Sequence, residues 1–330
     1  MLRSSSRHAV LVSALATGLA VATVVALAVV VGVGSVAHAF SHVRPEWILV
    51  LAVAEMLTAP AYVLSYRGIL GIDRPAPKVP LLAWLVMAGF GPLAIRGGFG
   101  LDQEVLRVTA ADARTARVRV LAQAALEWVV LAPAAWIASI VLLISGSAAM
   151  PSLLWPWAIV TPIGLAAGLW ATAPERKLSW IQNRQSDAPR QAVDAIRIIH
   201  RLLRDPRDGW QAWLGTAAYW ATDIVAFYAA CRTFGLRASG GAVIVAYGTG
   251  YVLTRRALPF AGAGVTEFLL TFALHWVGEP LGPALAAVVA YRVFNLVLAS
   301  TPALVAHRQL DRWLDNPAPR PGARSTGAGG

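Results

Sequence analysis

Residues 119–145 read RVLAQAALEWVVLAPAAWIASIVLLIS. After the opening Arg119, a single carboxylate, Glu127, interrupts a run longer than the roughly 20 residues a helix needs to cross a hydrocarbon core. Apolar runs of the same kind recur at about residues 9–36, 47–70, 80–95, 153–172, 210–231, 239–254, 265–277 and 284–306. Of the 330 residues, 57% are hydrophobic and only 14% are charged, against a charged share of roughly 25% in soluble domains. The runs are continuous and rich in Ala, Leu, Val and Trp, without the alternating polarity of a membrane β-barrel. The expected fold class is all-α, a polytopic membrane helix bundle of about 6–8 transmembrane helices.

The first run follows Arg3 and Arg7 and precedes Ala37-His38-Ala39, which has the look of a signal-peptidase site. Its apolar core is nearly twice the roughly 7–15 residues of a signal h-region, so it reads as an uncleaved first helix. The formal charge of +11 follows the positive-inside rule and does not indicate nucleic acid. Twenty-one of the 28 Lys and Arg fall in stretches assigned to the cytoplasm, and three (Arg44, Arg232 and Arg237) fall outside. The remaining four, Arg96, Arg255, Arg256 and Arg292, lie within or at the ends of apolar segments. This count places the protein in the cell membrane with both termini cytoplasmic.

Four regions follow from the pattern. Residues 1–172 form a first membrane half and 209–308 a second, separated by a basic cytoplasmic linker at 173–208. Residues 309–330 are a polar tail, mostly disordered by composition. Within the linker, Val193, Ile196, Ile199 and Leu203 recur at helical spacing, opposite Arg190, Asp194, Arg197, Arg201 and Arg204. Such a helix lies on the membrane surface or packs on its own protein. Each half also holds a short apolar segment, a glycine cluster and a second short segment, at about 80–108 and 239–277. Aligning Gly98 with Gly262 places Gly100 on Gly264, with arginine and proline N-terminal to both. This is the pattern of two broken or re-entrant hairpins related as an inverted repeat.

Ionisable groups inside membrane segments cost roughly 2.5–3.5 kcal/mol each at the bilayer centre, so each is a candidate for function. They are Arg96, Glu127, Asp223, Arg255, Arg256, Glu267 and Arg292, with Glu55 and Asn295 as weaker members. Mutual neutralisation that fixes helix packing is the alternative to a ligand site. A guanidinium fork and glycine-rich helix N-termini both suit phosphate oxygens, which adds Gly97, Gly98, Pro259, Gly262 and Gly264 to the candidates for lipid binding. No metal or cofactor is expected. Cys231 is the lone cysteine, and His8, His38, His42, His200, His275 and His307 lack ligand spacing. No nucleophile, base and orienter come together in the sequence, and the Gly97-Gly98-Phe99-Gly100 string lacks the setting of a nucleotide loop.

The stretch Leu258-Pro259-Phe260-Ala261-Gly262-Ala263-Gly264-Val265-Thr266-Glu267 is followed by Val277-Gly278-Glu279-Pro280 and by an alanine-rich segment ending in Tyr291-Arg292. Together these resemble the transmembrane region of lysylphosphatidylglycerol synthases and its stand-alone relatives. Tyr66-Arg67, Gly91-Pro92 and Arg96-Gly97-Gly98 look like that family's first-half elements. Ala261 and Phe260 depart from its usual glycine and proline. The resemblance implies a lipid translocase core without an aminoacyl transferase domain. The expected function is a lipid transporter or flippase-like protein that binds an anionic or zwitterionic phospholipid, or another phosphate-bearing lipid, near the midplane. Two alternatives stand beside it: a non-transporting lipid-binding subunit that organises a partner membrane enzyme or a second copy, and an intramembrane enzyme acting on a lipid-linked phosphate.

Overall fold

A computed structural model describes residues 5–72, 75–89, 102–103, 106, 113–146, 151–171, 187–251 and 262–315. The chain is an all-α polytopic helix bundle, with no strand among the described residues. In order, the helices are α1 (Ser5–Val31), α2 (Val33–Phe40), α3 (Pro45–Leu70), α4 (Val79–Gly89), α5 (Ala113–Ser145) and α6 (Leu154–Ala171). They continue with α7 (Asp187–Arg204), α8 (Trp210–Thr233), α9 (Gly240–Tyr251), α10 (Val265–Trp276), α11 (Leu281–Arg292), a π-helical segment (Val293–Leu298) and α12 (Ala299–Asp315). Among the described residues, four stretches are long and apolar enough to cross a membrane: Pro45–Leu70, Ala113–Ser145, Pro151–Trp170 and Leu281–Trp313. The bent pair Thr17–Val31 and Val33–Phe40 makes a fifth when counted as one span.

The first apolar run is thus not one straight helix. It breaks at Gly32, whose φ of 97° is open to glycine and strained for other residues, and the two arms meet at 105°. The other short helices are α4, α9 and α10, of 11, 12 and 12 residues. At 1.5 Å per residue each is about 18 Å long, well short of a roughly 30 Å hydrocarbon core.

The central packing is α3 against α8. A Cβ at Gly68 would fall on the backbone of Ala212, and one at Gly215 on that of Ser65, so glycine is what lets the two backbones touch. Close approach through small residues is how helices associate where lipid removes the usual hydrophobic drive. Helix α8 runs 24 residues and buries Thr216, Tyr219, Asp223 and Thr233, which makes it the polar spine of the bundle.

The inward face of the linker helix α7 is offset from the stripe its periodicity predicts, with Ile199 common to both. Gln191, Ala195, Ile199 and Leu202 are the buried positions, and they pack with Ile69, Ile72, Ala122, Leu126 and Ala212. Leu203 is exposed. Two constraints orient the helix: Asp194 is bonded by Arg114 (2.9 Å) and Arg197 (3.2 Å), and the Trp213 indole donates to the Leu202 carbonyl (3.2 Å). Helix α7 therefore packs on its own protein along one face.

Candidate functional site

Asp223 lies in the middle of α8 with no solvent exposure. Tyr247 of α9 donates to its Oδ2 at 2.6 Å, and Tyr291 of α11 donates to its Oδ1 at 2.7 Å. The Tyr291 hydroxyl is also 2.8 Å from that of Tyr251, which reaches Asn295 Oδ1 at 3.5 Å. Arg292 Nη1 donates to the same Asn295 oxygen at 3.4 Å, while its Nε donates to Glu267 Oε1 at 2.6 Å. Glu267 Oε2 accepts the Gly264 amide at 2.6 Å. A continuous polar chain thus runs from α8 through α9 and α11 to the start of α10.

Local structure explains the Glu267 end. Gly262 and Gly264 adopt φ of 67° and 88°, a turn that side chains resist. The turn exposes the first amides of α10, and Glu267 in its first turn reaches back to cap one of them. The same carboxylate then meets the guanidinium of Arg292, and the two side chains are 0% and 6% exposed. A buried ion pair of this kind holds only when the remaining donors and acceptors are also satisfied.

Two of them are not. Among the described residues, Arg292 Nη2 and Asn295 Nδ2 are buried donors with no hydrogen-bond partner. The orientation of the Asn295 amide follows from its neighbours, since Tyr251 and Arg292 both donate to its oxygen and leave its NH2 group free. Each is a donor, one of them a guanidinium, of the kind that suits an oxyanion or a carbonyl oxygen.

A second cluster occupies the first half. Tyr62 of α3 donates to Glu127 of α5, and Tyr66 donates to Asp102. Ser65, between these tyrosines, bonds Gln123 (3.0 Å) and Thr216 (2.6 Å). The Trp220 indole donates to the Glu127 carbonyl at 3.0 Å. Aromatic rings link the two clusters: Tyr62 packs on Tyr219 (4.6 Å between centroids), Tyr219 on Trp220 (5.0 Å), Trp220 on Tyr247 (5.9 Å) and Tyr247 on Tyr251 (4.7 Å).

Of the residues singled out in sequence, the structure brings Asp223, Gly264, Glu267, Arg292 and Asn295 into one network, with Gly262 in the adjoining turn. Glu127 belongs to the first-half cluster and joins the rest through Trp220. Arg96, Gly97, Gly98, Arg255, Arg256 and Pro259 lie outside the described residues. Sequence reasoning missed the phenols that hold the acids, together with Asp102. Their signal was present: Tyr62 and Tyr66, like Tyr247 and Tyr251, stand four apart and so share a helix face in each half. No group of three or more His, Cys, Asp or Glu among the described residues is arranged to hold a metal ion.

A family model described as "Lysylphosphatidylglycerol synthase TM region" matches residues 13–303. No curated protein matches the chain.

Proposed function

The chain belongs to the lysylphosphatidylglycerol synthase transmembrane-region family, and from that premise we propose that it binds a phospholipid through its phosphate and carries it across the cell membrane. The observation that carries the reading is the pair of buried, unpartnered donors, Arg292 Nη2 and Asn295 Nδ2. An unsatisfied buried donor costs about 1–3 kcal/mol and more when charged, so each of these groups calls for an acceptor. A phosphate oxygen supplies one that a lipid brings from within the bilayer. Arg292 would bind it, Asn295 would orient it, and Glu267 would keep the guanidinium in place when the site is empty. Asp223 and Glu127 would serve the charge of a zwitterionic head group. In this reading the segments at about 80–108 and 239–277 are the two re-entrant hairpins, related as an inverted repeat, with both termini and the 173–208 linker cytoplasmic; much of the first and the tip of the second lie outside the described residues.

Arg292→Lys tests the reading, because it keeps a cation beside Glu267 but removes the planar fork. The phospholipid that co-purifies in mild detergent, measured by mass spectrometry, is expected to fall about tenfold, the equivalent of roughly 1.4 kcal/mol. Asn295→Ala should act in the same direction, with both variants still monodisperse. Wild-type lipid retention in both would remove the basis for the proposal.

A second reading is supported by the closed Glu267–Arg292 pair at 2.6 Å, which suits a subunit that holds lipid without moving it. Vesicles that carry a quenchable phosphatidylglycerol analogue separate the two. Quenching beyond the outer-leaflet share supports transport, and quenching limited to that share by protein that still binds lipid supports the static role.

A further inference from the structure

Helix α1 is attached to the rest of the protein along a narrow seam. Leu11, Leu15, Leu19, Val21, Val25, Val29 and Val30 are exposed, and among the described side chains of α1 only Ala20 and Leu27 are buried. Ala20 packs with Ala263 and Leu296. Thr23 Oγ1 lies 2.9 Å from where a Cβ on Gly264 would stand. Positions 20, 23 and 27 fall on one helix face, and what they cover is specific. Gly264 is the amide that Glu267 caps, Ala263 precedes it, and Leu296 follows Asn295. The seam of α1 therefore lies against residues that adjoin Glu267 and Asn295 in the network.

Helix α2 is held differently. Gly282 of α11 leaves room for the Ser35 side chain, which would collide with any Cβ there, and Phe40 packs edge-on against Phe234 at 5.0 Å. Between the fixed arm and the exposed arm stands Gly32, with φ of 97° and nothing within 4 Å of the place its Cβ would take. A positive-φ glycine in open space, joining one anchored helix to one weakly attached helix, has the form of a hinge.

We propose that α1 is a lateral gate, swinging about Gly32 to open and close the Glu267, Arg292 and Asn295 end of the network to the lipid phase. The proposal rests on the phospholipid reading above. A lipid enters sideways from the bilayer, so its phosphate reaches Arg292 without crossing an aqueous path while its acyl chains stay in hydrocarbon. Closing α1 along Ala20, Thr23 and Leu27 then seals the head group from the acyl region.

The test ties the gate shut. Ala20→Cys and Ala263→Cys are combined in a Cys231→Ser background, purified with bound phospholipid and incubated with vesicles that contain a fluorescent phosphatidylglycerol. When the new pair is oxidised, exchange of bound for labelled lipid is expected to slow by more than about tenfold and to recover on reduction, because the open state is removed from the population. Equal exchange rates in the oxidised and reduced forms would overturn the gate and leave the binding site untouched. Arg292→Lys in the same background separates the two ideas: loss of bound lipid with tether-independent exchange in the parent keeps the site and sinks the gate. Retention of lipid in Arg292→Lys sinks the site instead, and the gate with it. Should the disulfide fail to form, the Ala20→Cys single variant gives a second readout. Maleimide labelling in bilayers is expected to quicken with Gly32→Ala, which strains the bent, closed arrangement without a steric clash. Unchanged labelling would count against the hinge.

Discussion

The two halves of the bundle hold their buried acids by different means. In the first half, Glu127 and Asp102 receive hydrogen bonds from Tyr62 and Tyr66. In the second, Glu267 is bound by the guanidinium of Arg292 and by a backbone amide. Asp223, on α8 of the second half, stands between these arrangements and is held by two phenols. A phenol is neutral and can be removed at the cost of one hydrogen bond. A guanidinium carries a full charge, and its removal strands a buried carboxylate. The Glu267–Arg292 end of the second half should therefore behave as a fixed electrostatic unit and the first half as a set of separable hydrogen bonds.

That contrast predicts a graded series, each step measured by thermal unfolding in a mild detergent. The largest loss is expected from Glu267→Gln, about 3–5 kcal/mol, because Arg292 is left as an uncompensated buried charge. Arg292→Gln should cost a similar amount, and the double variant should cost less than the sum by about 1–3 kcal/mol. Full additivity would break the claim that the pair acts as a unit. Tyr291→Phe removes two contacts at once, to Asp223 and Tyr251, and should cost about 1.7 kcal/mol, the upper end for interhelical hydrogen bonds in membranes. Tyr62→Phe should lie nearer the average of about 0.6 kcal/mol. If Tyr62→Phe proves as damaging as Glu267→Gln, the distinction between the halves fails. Smallest of all should be Arg114→Ala, under about 1 kcal/mol, since Arg114 and Asp194 pair at the surface with side chains 64% and 30% exposed.

Much of the fold is legible in the sequence, for a physical reason: the bilayer admits few solutions, so long apolar runs translate directly into helices. The start of α10 is also legible, because Gly-x-Gly followed by Glu three residues later is a helix N-terminus in any solvent. Glu267 and Arg292, both singled out in the sequence as ionisable groups within membrane segments, are 2.6 Å apart. The bend at Gly32 is harder to read, since glycine is common in membrane helices and only backbone geometry shows which one breaks the run. The face of α7 is misread for a related reason. Val193, Ile196 and Leu203 satisfy a helical period as well as Ala195 and Leu202 do, and only the small Ala122 and Ala212 opposite decide which stripe fits. The tyrosines escape because an aromatic residue in a membrane run is ordinarily packing, and their hydroxyl partners come from helices distant in sequence.

The π-helical turn at Val293–Leu298 sits in one continuous rod from Leu281 to Trp313. Its upper part, α11, packs on α8 and α10 and carries Tyr291 and Arg292, while its lower part, α12, packs on α4 of the first half. A π turn holds one residue more than an α turn, and one residue of helix is worth about 100° of rotation. The rod thus works like a shaft with a phase offset cut into it beside Arg292 and Asn295. Converting that turn to ordinary α geometry would rotate the α4-facing surface of α12 by about a quarter turn relative to the α11 surface. Arg292 and Asn295 are thereby joined to the short helix of the opposite half by a single continuous element.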